Sequence, residues 1–392
     1  MATISTLLIA WTALLAIPVL VFVLEILAGW RLAPAGRSTA PAPPFAVLMP
    51  AHDEAAGIGL VITALRPQLR PGDRLLVVAD NCSDDTAAVA RQHGAEVVER
   101  TDATLRGKGY ALDFGVRHLG SHPPDVVIII DADCVAGECS LRTLAAQCSA
   151  SHRPTQALYL MRSPGLSVGG RIAEFAWRVK NHARPLGLHR MGLPCQLMGT
   201  GMAFPWLLIA NAPLASGHIV EDLQLGLDLA MAGTAPEFCP SALVTSQFAA
   251  NVEGADSQRT RWEHGHMHLL VSRVPGLLWT SMRRGNLGAL ALAMDLLVPP
   301  LALLALLVAA TSVASVTLAL VHVAFLPAAW SALCVLTLLL AGVGCAWLRH
   351  GRDLLSMGDL ARVPLYALRK IPIYVRFLVA RQVSWIRARR DE

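Results

Sequence analysis

Two long apolar stretches flank a central region in which short apolar runs alternate with polar turns. The first stretch covers residues 4–27 and the second covers residues 287–348. A helix that crosses a bilayer needs about 20 apolar residues, so the first stretch predicts one span and the second two or three. No small-residue cleavage site clearly follows the first stretch, so we interpret it as an anchor and not as a removed signal peptide.

Arginines at the ends of these stretches predict their orientation. Arg31 and Arg37 follow the first stretch, and Arg283 and Arg349 lie on either side of the second. Basic residues concentrate on the cytoplasmic side of membrane spans. Both ends of the second stretch are therefore expected in the cytoplasm, which favours an even number of spans, two, and places the N-terminus outside.

The central region predicts a parallel sheet. Apolar, β-branched runs lead into polar turns at four places, which are residues 45–50, 74–80, 95–99 and 125–130. Helical patterns separate these runs, and strands that alternate with helices build a doubly wound α/β fold. Ligands of such folds bind beyond the carboxyl ends of the strands.

The chain thus divides into five predicted segments. They are an N-terminal anchor, a Pro-rich linker, a cytoplasmic α/β domain, two transmembrane helices and a basic amphipathic tail, at residues 1–30, 31–44, 45–285, 286–349 and 350–392. In the tail, apolar and basic positions alternate at helical spacing from Ile373 to Arg390, which is typical of a helix lying on a membrane surface. A helix packed on the cytoplasmic domain is the alternative.

Composition agrees with a membrane protein that has a sizeable water-soluble part. Of the 392 residues, 54% are hydrophobic and only 16% are charged, and the mean hydropathy is +0.49. The net charge of +5 is modest, and the basic residues crowd the C-terminal end, so anionic lipid is the expected partner and nucleic acid is not. The eight cysteines form no CxxC pair, which argues against structural zinc and favours a reducing compartment.

Carboxylates follow the predicted strands at their carboxyl ends. Asp131 and Asp133 come directly after the fourth strand, Asp53 and Glu54 follow the first, and Asp80 ends the second. Two carboxylates one residue apart suit Mg²⁺ or Mn²⁺ shared with a substrate diphosphate. An ordinary strand end or helix cap is the alternative for each acid alone. The first turn lacks GxGxxG, which argues against a dinucleotide site.

Two further segments carry candidate chemistry. Residues 106–109 read Arg-Gly-Lys-Gly before a helical pattern, and a lysine beside free backbone N–H groups suits a phosphate. A simple turn before a helix is the alternative. The alternating histidines of residues 264–268 could suggest zinc, but their place on the way to the membrane favours interfacial histidines.

Taken in order, several segments resemble the inverting family-2 glycosyltransferases with a GT-A fold. The resemblance is closest to the membrane-embedded branch that includes cellulose and hyaluronan synthases and ceramide glucosyltransferases, and it covers about residues 45–265. The matching segments are Pro50-Ala-His-Asp-Glu54, Asp80-Asn-Cys-Ser-Asp-Asp-Thr86, Gly107-Lys-Gly-Tyr-Ala-Leu112, Asp131-Ala-Asp133, Gly199-Thr-Gly-Met-Ala-Phe204, Val220-Glu-Asp222 and Gln258-Arg-Thr-Arg-Trp262. His52 and Asp53 depart from the Tyr and Asn common in the family.

The resemblance implies a donor site. Asp131 and Asp133 would hold Mg²⁺ or Mn²⁺ against the diphosphate of a nucleotide-sugar, and Asp131 would also contact the donor. Asp80 with Glu54 would contact the nucleoside. Lys108 would lie near the base or the phosphates.

On the acceptor side, the resemblance implies that Asp222 is the general base that takes the acceptor's hydroxyl proton. Glu221 is the competing candidate. Gly199 and Thr200 would belong to an acceptor-side loop.

The last motif supplies three further expected site residues. Gln258 would line the donor site, and Arg261 would neutralise the departing diphosphate. Trp262 would present an aromatic face to a sugar or lipid head group. For Trp262 alone, an interfacial membrane anchor is the alternative.

The function implied is inverting, metal-dependent transfer of a sugar, from a UDP-sugar, to a saccharide or lipid acceptor at the inner membrane. The product would be a cell-surface polysaccharide or a glycolipid. Two C-terminal spans are few for threading a polymer, which favours a non-processive enzyme, a homo-oligomer or export partners. A ceramide- or diacylglycerol-type lipid glucosyltransferase and a non-catalytic partner of a polysaccharide secretion complex are the alternatives. A transporter would need more spans and paired intramembrane charges.

Overall fold

The protein is described here by a computed structural model, which covers residues 1–30, 41–165, 167–217, 220–249 and 252–379. Most of the predicted linker and the end of the predicted tail lie outside the described residues. Among those residues, the chain forms two compact units. The sheet unit comprises residues 41–164 and 193–258, and the helical unit comprises residues 1–30, 165–192 and 259–379. The sequence predicts that residues 165–192 and 259–285 belong to the α/β domain. In the structure they are grouped with the apolar helices.

Within its described residues, the sheet unit contains an eight-stranded sheet. The strands are β1 Phe45–Ala51, β2 Arg74–Asp80, β3 Glu96–Arg100, β4 Val126–Ile129, β5 Val135–Ala136, β6 Thr155–Arg162, β7 Met202–Pro205 and β8 Glu237–Gln247. Their order is β3-β2-β1-β4-β7-β6-β8-β5. The first four are parallel, and β7 runs antiparallel to both of its neighbours. The predicted α/β fold with a mostly parallel sheet is confirmed, including its first four strands.

The helices connect these strands and build the helical unit. In chain order they are α1 Ala2–Ala28, α2 Ile58–Leu65, α3 Thr86–Gln92, α4 Lys108–Leu119, α5 Ser140–Ser151, α6 Val168–Arg178, α7 Arg184–Arg190, α8 Trp206–Ile209, α9 Glu221–Met231, α10 Val252–Ser272, α11 Val274–Arg284, α12 Leu287–Leu296, α13 Leu301–Val321, α14 Leu326–His350, α15 Met357–Leu360, α16 Val363–Leu368 and α17 Ile371–Val379. A π-helical turn, Val179–Ala183, joins α6 to α7.

Helix α4 packs directly on the parallel strands because Gly115 has no side chain. A Cβ atom there would overlap Leu48 of β1 and lie 2.9 Å from Cγ2 of Val78 in β2. Val116 and Leu119 of the same helix are buried in the core beneath these strands. This packing fixes the N-terminal end of α4, which begins with Lys108, at the carboxyl edge of the sheet.

Among the described residues, three helices are long and apolar enough to cross a membrane. They are Ala2–Ala28, Leu301–Val321 and Val323–His350, the last of which includes a short 3₁₀ turn before α14. Pro299 and Pro300 separate the shorter apolar helix α12 from α13, because proline cannot continue the backbone hydrogen bonds of a helix.

A buried arginine joins three helices of the helical unit. In α7, Nε of Arg184 lies 2.5 Å from Oε2 of Glu25 in α1, and its Nη2 lies 2.6 Å from Oδ1 of Asp295 in α12. All three side chains are buried. Charges removed from water need such partners, because an unpaired buried charge costs several kcal/mol.

Candidate active site

The end of strand β4 carries the two aspartates and is held by a glycine-rich loop. The N–H of Asp131 donates a hydrogen bond to Oγ1 of Thr200 at 3.0 Å. The N–H of Gly201 donates to the carbonyl of Ile129 at 2.9 Å. Gly199 and Gly201 have φ values of +88° and +65°, which glycine adopts most readily. The predicted acceptor-side loop therefore lies against the predicted metal-binding carboxylates.

Lys108 lies among carboxylates at the start of α4. Its Nζ is 2.5 Å from Oδ1 of Asp131 and donates a hydrogen bond to the carbonyl of Gly199 at 2.8 Å. Burial alone would lower the pKa of Lys108, but the surrounding acids, with Asp131 first, raise it above its usual value. Burial raises the pKa of Asp131, although Lys108 acts in the opposite direction. The lysine is therefore a permanent positive charge at this site.

Gly107 and Gly109, on either side of Lys108, occupy positions where a side chain would not fit or would strain the backbone. Gly107 has a φ of +128°, a conformation that side chains rarely allow. A Cβ atom on Gly109 would lie 2.5 Å from the carbonyl oxygen of Leu214. The turn can therefore approach the chain before α9 closely enough to bring Lys108 to the acids of that helix.

Glu221 and Asp222 form the first turn of α9, where the helix dipole stabilises negative charge. A Cβ atom on Gly199 would lie 3.5 Å from Oδ2 of Asp222 and 3.8 Å from Nζ of Lys108, so both groups lie close to the same glycine. Burial, and next the charge of Asp222, raise the pKa of Glu221 to about 7. Both acids line a cavity of about 220 Å³ that is otherwise mainly apolar.

The donor atoms around Asp131 fit a hard divalent cation. Ligand atoms of Asp131, Asp133 and Cys134 lie within 4.8 Å of one another. The thiol of Cys134 is fully buried and donates a hydrogen bond to Oδ1 of Asp133 at 3.1 Å. Two partly exposed carboxylates thus remain as ligands, and Mg²⁺ and Mn²⁺ prefer such oxygens.

Asp80, the predicted nucleoside contact, is held by an arginine that the sequence analysis did not single out. Nη1 of Arg100 lies 2.6 Å from Oδ1 of Asp80, and its Nη2 donates to the carbonyl of Leu105 at 2.7 Å. The guanidinium carbon of Arg100 also lies 5.7 Å from the centroid of the Tyr110 ring. The register of β2 and β3 pairs Asp80 with Arg100. A parallel third strand ending near residue 100 was the signal that could have revealed it.

The turns after β1 and β2 are joined by hydrogen bonds between side chains and backbone groups. The N–H of Glu54 donates to Oγ1 of Thr86 at 2.8 Å. Oδ1 of Asp53 accepts from the N–H of Ser83 at 2.6 Å. Nδ1 of His52 lies 2.7 Å from the carbonyl oxygen of Asp80. Glu54 and Asp80 are therefore brought to neighbouring turns at one edge of the sheet.

The residues of the last motif fall in both units. Gln258 is buried in the sheet unit. Arg261 and Trp262 belong to the helical unit, where Trp262 packs against Trp177 with ring centroids 4.7 Å apart. Sequence reasoning missed Trp177, which lies on a different helix.

The histidines after Trp262 bond to backbone atoms within the helical unit. Nε2 of His264 is 2.9 Å from the carbonyl of Ile373, and Nε2 of His266 is 3.1 Å from that of Leu296. Burial lowers the pKa of His266 to about 3, so it stays neutral. Among the described residues, neither group of candidate metal ligands includes these histidines.

Known proteins resemble this chain in sequence. "Probable glycosyltransferase YdaM" of Bacillus subtilis (strain 168) is 25% identical over 256 residues, which are 58% of this chain and 56% of that protein. The 4,4'-diaponeurosporenoate glycosyltransferase of Staphylococcus aureus (strain USA300) is 34% identical over 90 residues, 22% of this chain and 23% of that protein. The chain thus spans about half of the first relative's length and a quarter of the second's.

A solved structure and a family model also match this chain. The mannosyltransferase PcManGT from Pyrobaculum calidifontis, solved in complex with GDP-Man and Mn²⁺, is 15% identical and superposes with a TM-score of 0.59 over 97% of this chain and 99% of that one. At this identity the likeness shows the fold alone. The model of the family described as "Glycosyltransferase like family 2" matches residues 42–265, more than half of the chain. The chain therefore belongs to glycosyltransferase family 2.

Proposed function

We propose that this protein is a metal-dependent, inverting glycosyltransferase that moves a sugar from a nucleotide-sugar to a hydroxyl group of a saccharide or lipid acceptor at a membrane. One observation carries the proposal. The ammonium group of Lys108 lies 2.5 Å from Asp131, and the charge of Asp222 also acts on it. A cation close to both the expected metal-binding acid and the expected base is an arrangement suited to a diphosphate leaving group.

The donor's diphosphate would lie at the end of β4. Asp131 and Asp133 would hold Mg²⁺ or Mn²⁺, which when bound supplies Lewis-acid stabilisation of the departing phosphate. Lys108 would add a positive charge on the other side of Asp131. PcManGT was solved with Mn²⁺, which supports the same cofactor here.

The nucleoside would lie beyond β1 and β2. Asp80 and Glu54 are its expected contacts, and Arg100 would keep the Asp80 carboxylate in one orientation. A UDP-sugar is the first candidate donor. GDP-mannose is the second, because the structural neighbour was solved with GDP-Man.

The chemical step needs a base and an in-line attack. Asp222 would take the proton from the acceptor hydroxyl while that oxygen forms its bond to the anomeric carbon. The bond from that carbon to the phosphate oxygen breaks on the opposite side, which inverts the anomeric configuration. Glu221 stays the competing base. The turn at Gly199 and Thr200 would border the acceptor.

From the motif of residues 258–262, Gln258 is the expected donor contact, Arg261 the expected diphosphate contact and Trp262 the expected acceptor contact. We further propose that the three apolar helices span the inner membrane, with the N-terminus outside, the sheet unit in the cytoplasm and the arginines of the tail on the inner surface. A lipid glucosyltransferase is the same reaction with a ceramide- or diacylglycerol-type acceptor.

The test is turnover of donors by the full chain in lipid nanodiscs with Mn²⁺. UDP-glucose, UDP-galactose, UDP-N-acetylglucosamine and GDP-mannose are each supplied with membrane lipid extract, and nucleoside diphosphate release and labelled product are measured. We expect release with at least one donor, lost with EDTA and in Asp133→Asn. The matched control is Asp113→Asn, which removes an acid of α4 from a surface ion pair with Arg117. Folded protein that turns over none of these donors would favour a non-catalytic partner.

A further inference from the structure

A recess at one end of the helical unit is lined by two arginines and a tryptophan. Its volume is about 370 Å³, and its lining residues are Trp30, Leu348, Arg349 and Arg352. This size falls within the range of about 300–1,000 Å³ that is usual for small-molecule sites. Trp30 and both arginines are exposed. The recess therefore offers two cations and one aromatic ring to a ligand.

The recess lies where two apolar helices end side by side. Trp30 follows α1, which ends at Ala28, and Arg349 lies in the last turn of α14, which ends at His350. The 25 residues of α14 extend about 37 Å, more than the bilayer's hydrocarbon core of about 30 Å. In the proposed membrane placement, the recess thus lies at the level of the cytoplasmic head groups, where tryptophan is enriched.

Close helix packing keeps the recess in one shape. A Cβ atom on Gly342 of α14 would lie 2.8 Å from Cγ2 of Val23 in α1, so the two helices approach each other directly. Nη1 of Arg190 donates a hydrogen bond to the carbonyl of Gly29 at 3.0 Å, which fixes the chain just before Trp30. A site formed in advance binds its ligand without the cost of ordering loops.

The two arginines of the recess bring positive charge that no nearby acid balances. Among the residues that the structure describes, neither the guanidinium of Arg349 nor that of Arg352 forms an ion pair or a hydrogen bond. The next carboxylate along the chain, Asp353, is held by Arg178, whose Nη1 donates to its two oxygens at 2.9 and 2.7 Å. Guanidinium groups bind phosphate oxygens through paired N–H groups, and they give up hydration more readily than an ammonium group does. The charge and the donors of the recess therefore suit a phosphate group.

We propose that Trp30, Arg349 and Arg352 bind the phosphate head group of an anionic phospholipid in the cytoplasmic leaflet. A choline head group would bring its own cation next to the arginines, so the site selects lipids with a net negative charge. The assignment rests on the membrane placement given under the proposed function, and it adds a lipid-binding site with named residues. Arginines that only offset the negative end of the α14 dipole are the competing account.

The experiment counts the lipids bound to the full chain by native mass spectrometry in detergent, with dioleoylphosphatidylglycerol or dioleoylphosphatidylcholine as the probe. We expect phosphatidylglycerol to bind more tightly. Arg349→Gln and Arg352→Gln should each weaken its binding about fivefold, the usual contribution of one arginine beside an anionic lipid surface, and leave phosphatidylcholine unchanged. Trp30→Leu should weaken the binding of both lipids about threefold. Arg283→Gln is the matched control, because Arg283 is an exposed arginine in the last turn of α11 in the same unit.

Four outcomes would overturn the proposal. The first three are equal affinity of the wild type for both lipids, wild-type affinity in the double variant Arg349→Gln with Arg352→Gln, and an equal loss in Arg283→Gln. The fourth is displacement of the bound phosphatidylglycerol by an equal concentration of glycerol 3-phosphate, which would assign the recess to a soluble phosphate.

Donor turnover in nanodiscs is measured on the same preparations, so that the two proposals fail separately. A wild type with turnover but without lipid selectivity contradicts only this inference. Lipid selectivity without turnover contradicts only the proposed reaction. A folded chain that does not enter nanodiscs would contradict the membrane placement on which the lipid site depends.

Discussion

The ammonium group of Lys108 lies 2.5 Å from the carboxylate of Asp131, which joins the first residue of α4 to the end of β4. The two residues come from separate motifs, and Gly199, whose carbonyl accepts a hydrogen bond from the same ammonium group, comes from a third. The pair therefore fixes three segments at one point of the sheet edge. Its charge balance is the basis of the first prediction.

Replacing Lys108 by methionine should lower kcat by about 100-fold or more, because one cation near a transferred phosphate commonly contributes about 3 kcal/mol. It also leaves Asp131 without its ion-pair partner. Lys108→Arg should keep part of the activity. Steady-state nucleoside diphosphate release measures both, with Arg117→Met on the exposed side of α4 as control. Wild-type kcat in Lys108→Met would contradict the assigned role.

The acid pair of α9 offers a test of the base. Asp222→Asn should reduce kcat by about 10²–10⁴-fold, the usual contribution of general-base catalysis, with little change in donor KM. Glu221→Gln should have the smaller effect. Equilibrium binding of donor with Mn²⁺ checks that both variants keep the site intact. A larger loss in Glu221→Gln than in Asp222→Asn would reverse the two roles.

The raised pKa of Glu221 also makes the stability of the folded protein depend on pH. Its pKa is raised from 4.5 to about 7, so the folded protein favours the protonated carboxyl. The stability from this group is full below about pH 4.5 and is lost as pH rises through 7. Glu221→Gln should therefore raise the Tm at pH 8 by about 2–4 °C, roughly the effect of 1 kcal/mol, and change it little at pH 5. Thermal unfolding in EDTA measures this, and an equal shift at both pH values would refute it.

We expect replacement of Arg100 to affect donor binding and not the chemical step. Arg100→Leu would leave the carboxylate of Asp80, which is 7% exposed, without its guanidinium partner. Losing a hydrogen bond to a charged group costs about 1.5–3 kcal/mol, so we expect donor KM to rise about 10–100-fold with kcat nearly unchanged. Arg91→Leu is the control, since Arg91 pairs with Glu99 on an exposed surface. A fall in kcat at constant KM would point to a role in the chemical step.

Much of the sheet edge could be predicted from sequence because parallel strands end at the same edge. The β-branched run before Asp131 and the runs before Glu54 and Asp80 placed three of the acids correctly at strand ends. The ordered motifs added Lys108 and Asp222, and both lie beside Asp131 or Gly199 in the structure. The roles of these residues stay predictions.

Other features depend on tertiary contacts that leave no local pattern. Trp177 of α6 and Trp262 of α10 contact each other although they are far apart in the sequence. The helix α6 has no long apolar run, so its grouping with the apolar helices could not be read from hydropathy. Arg184 is an ordinary arginine in sequence, and only packing pairs it with Glu25 and Asp295. The π-helical turn likewise has no local pattern in the sequence.

The last prediction concerns the residue that follows Trp262. Glu263 and Lys370 form a buried ion pair, and each residue is 9% exposed. Breaking such a pair leaves one buried charge uncompensated, at a cost of about 3–5 kcal/mol, whereas replacing both partners with apolar groups of similar size costs much less. Lys370→Met should therefore lower the Tm of the full chain strongly, and Glu263→Leu combined with Lys370→Met should recover most of it. The surface pair of Arg117, which is exposed, and Asp113, which is partly buried, is the control, where single and double variants should all stay near wild type. A double variant as unstable as the sum of the singles would show that the two charges do not depend on each other.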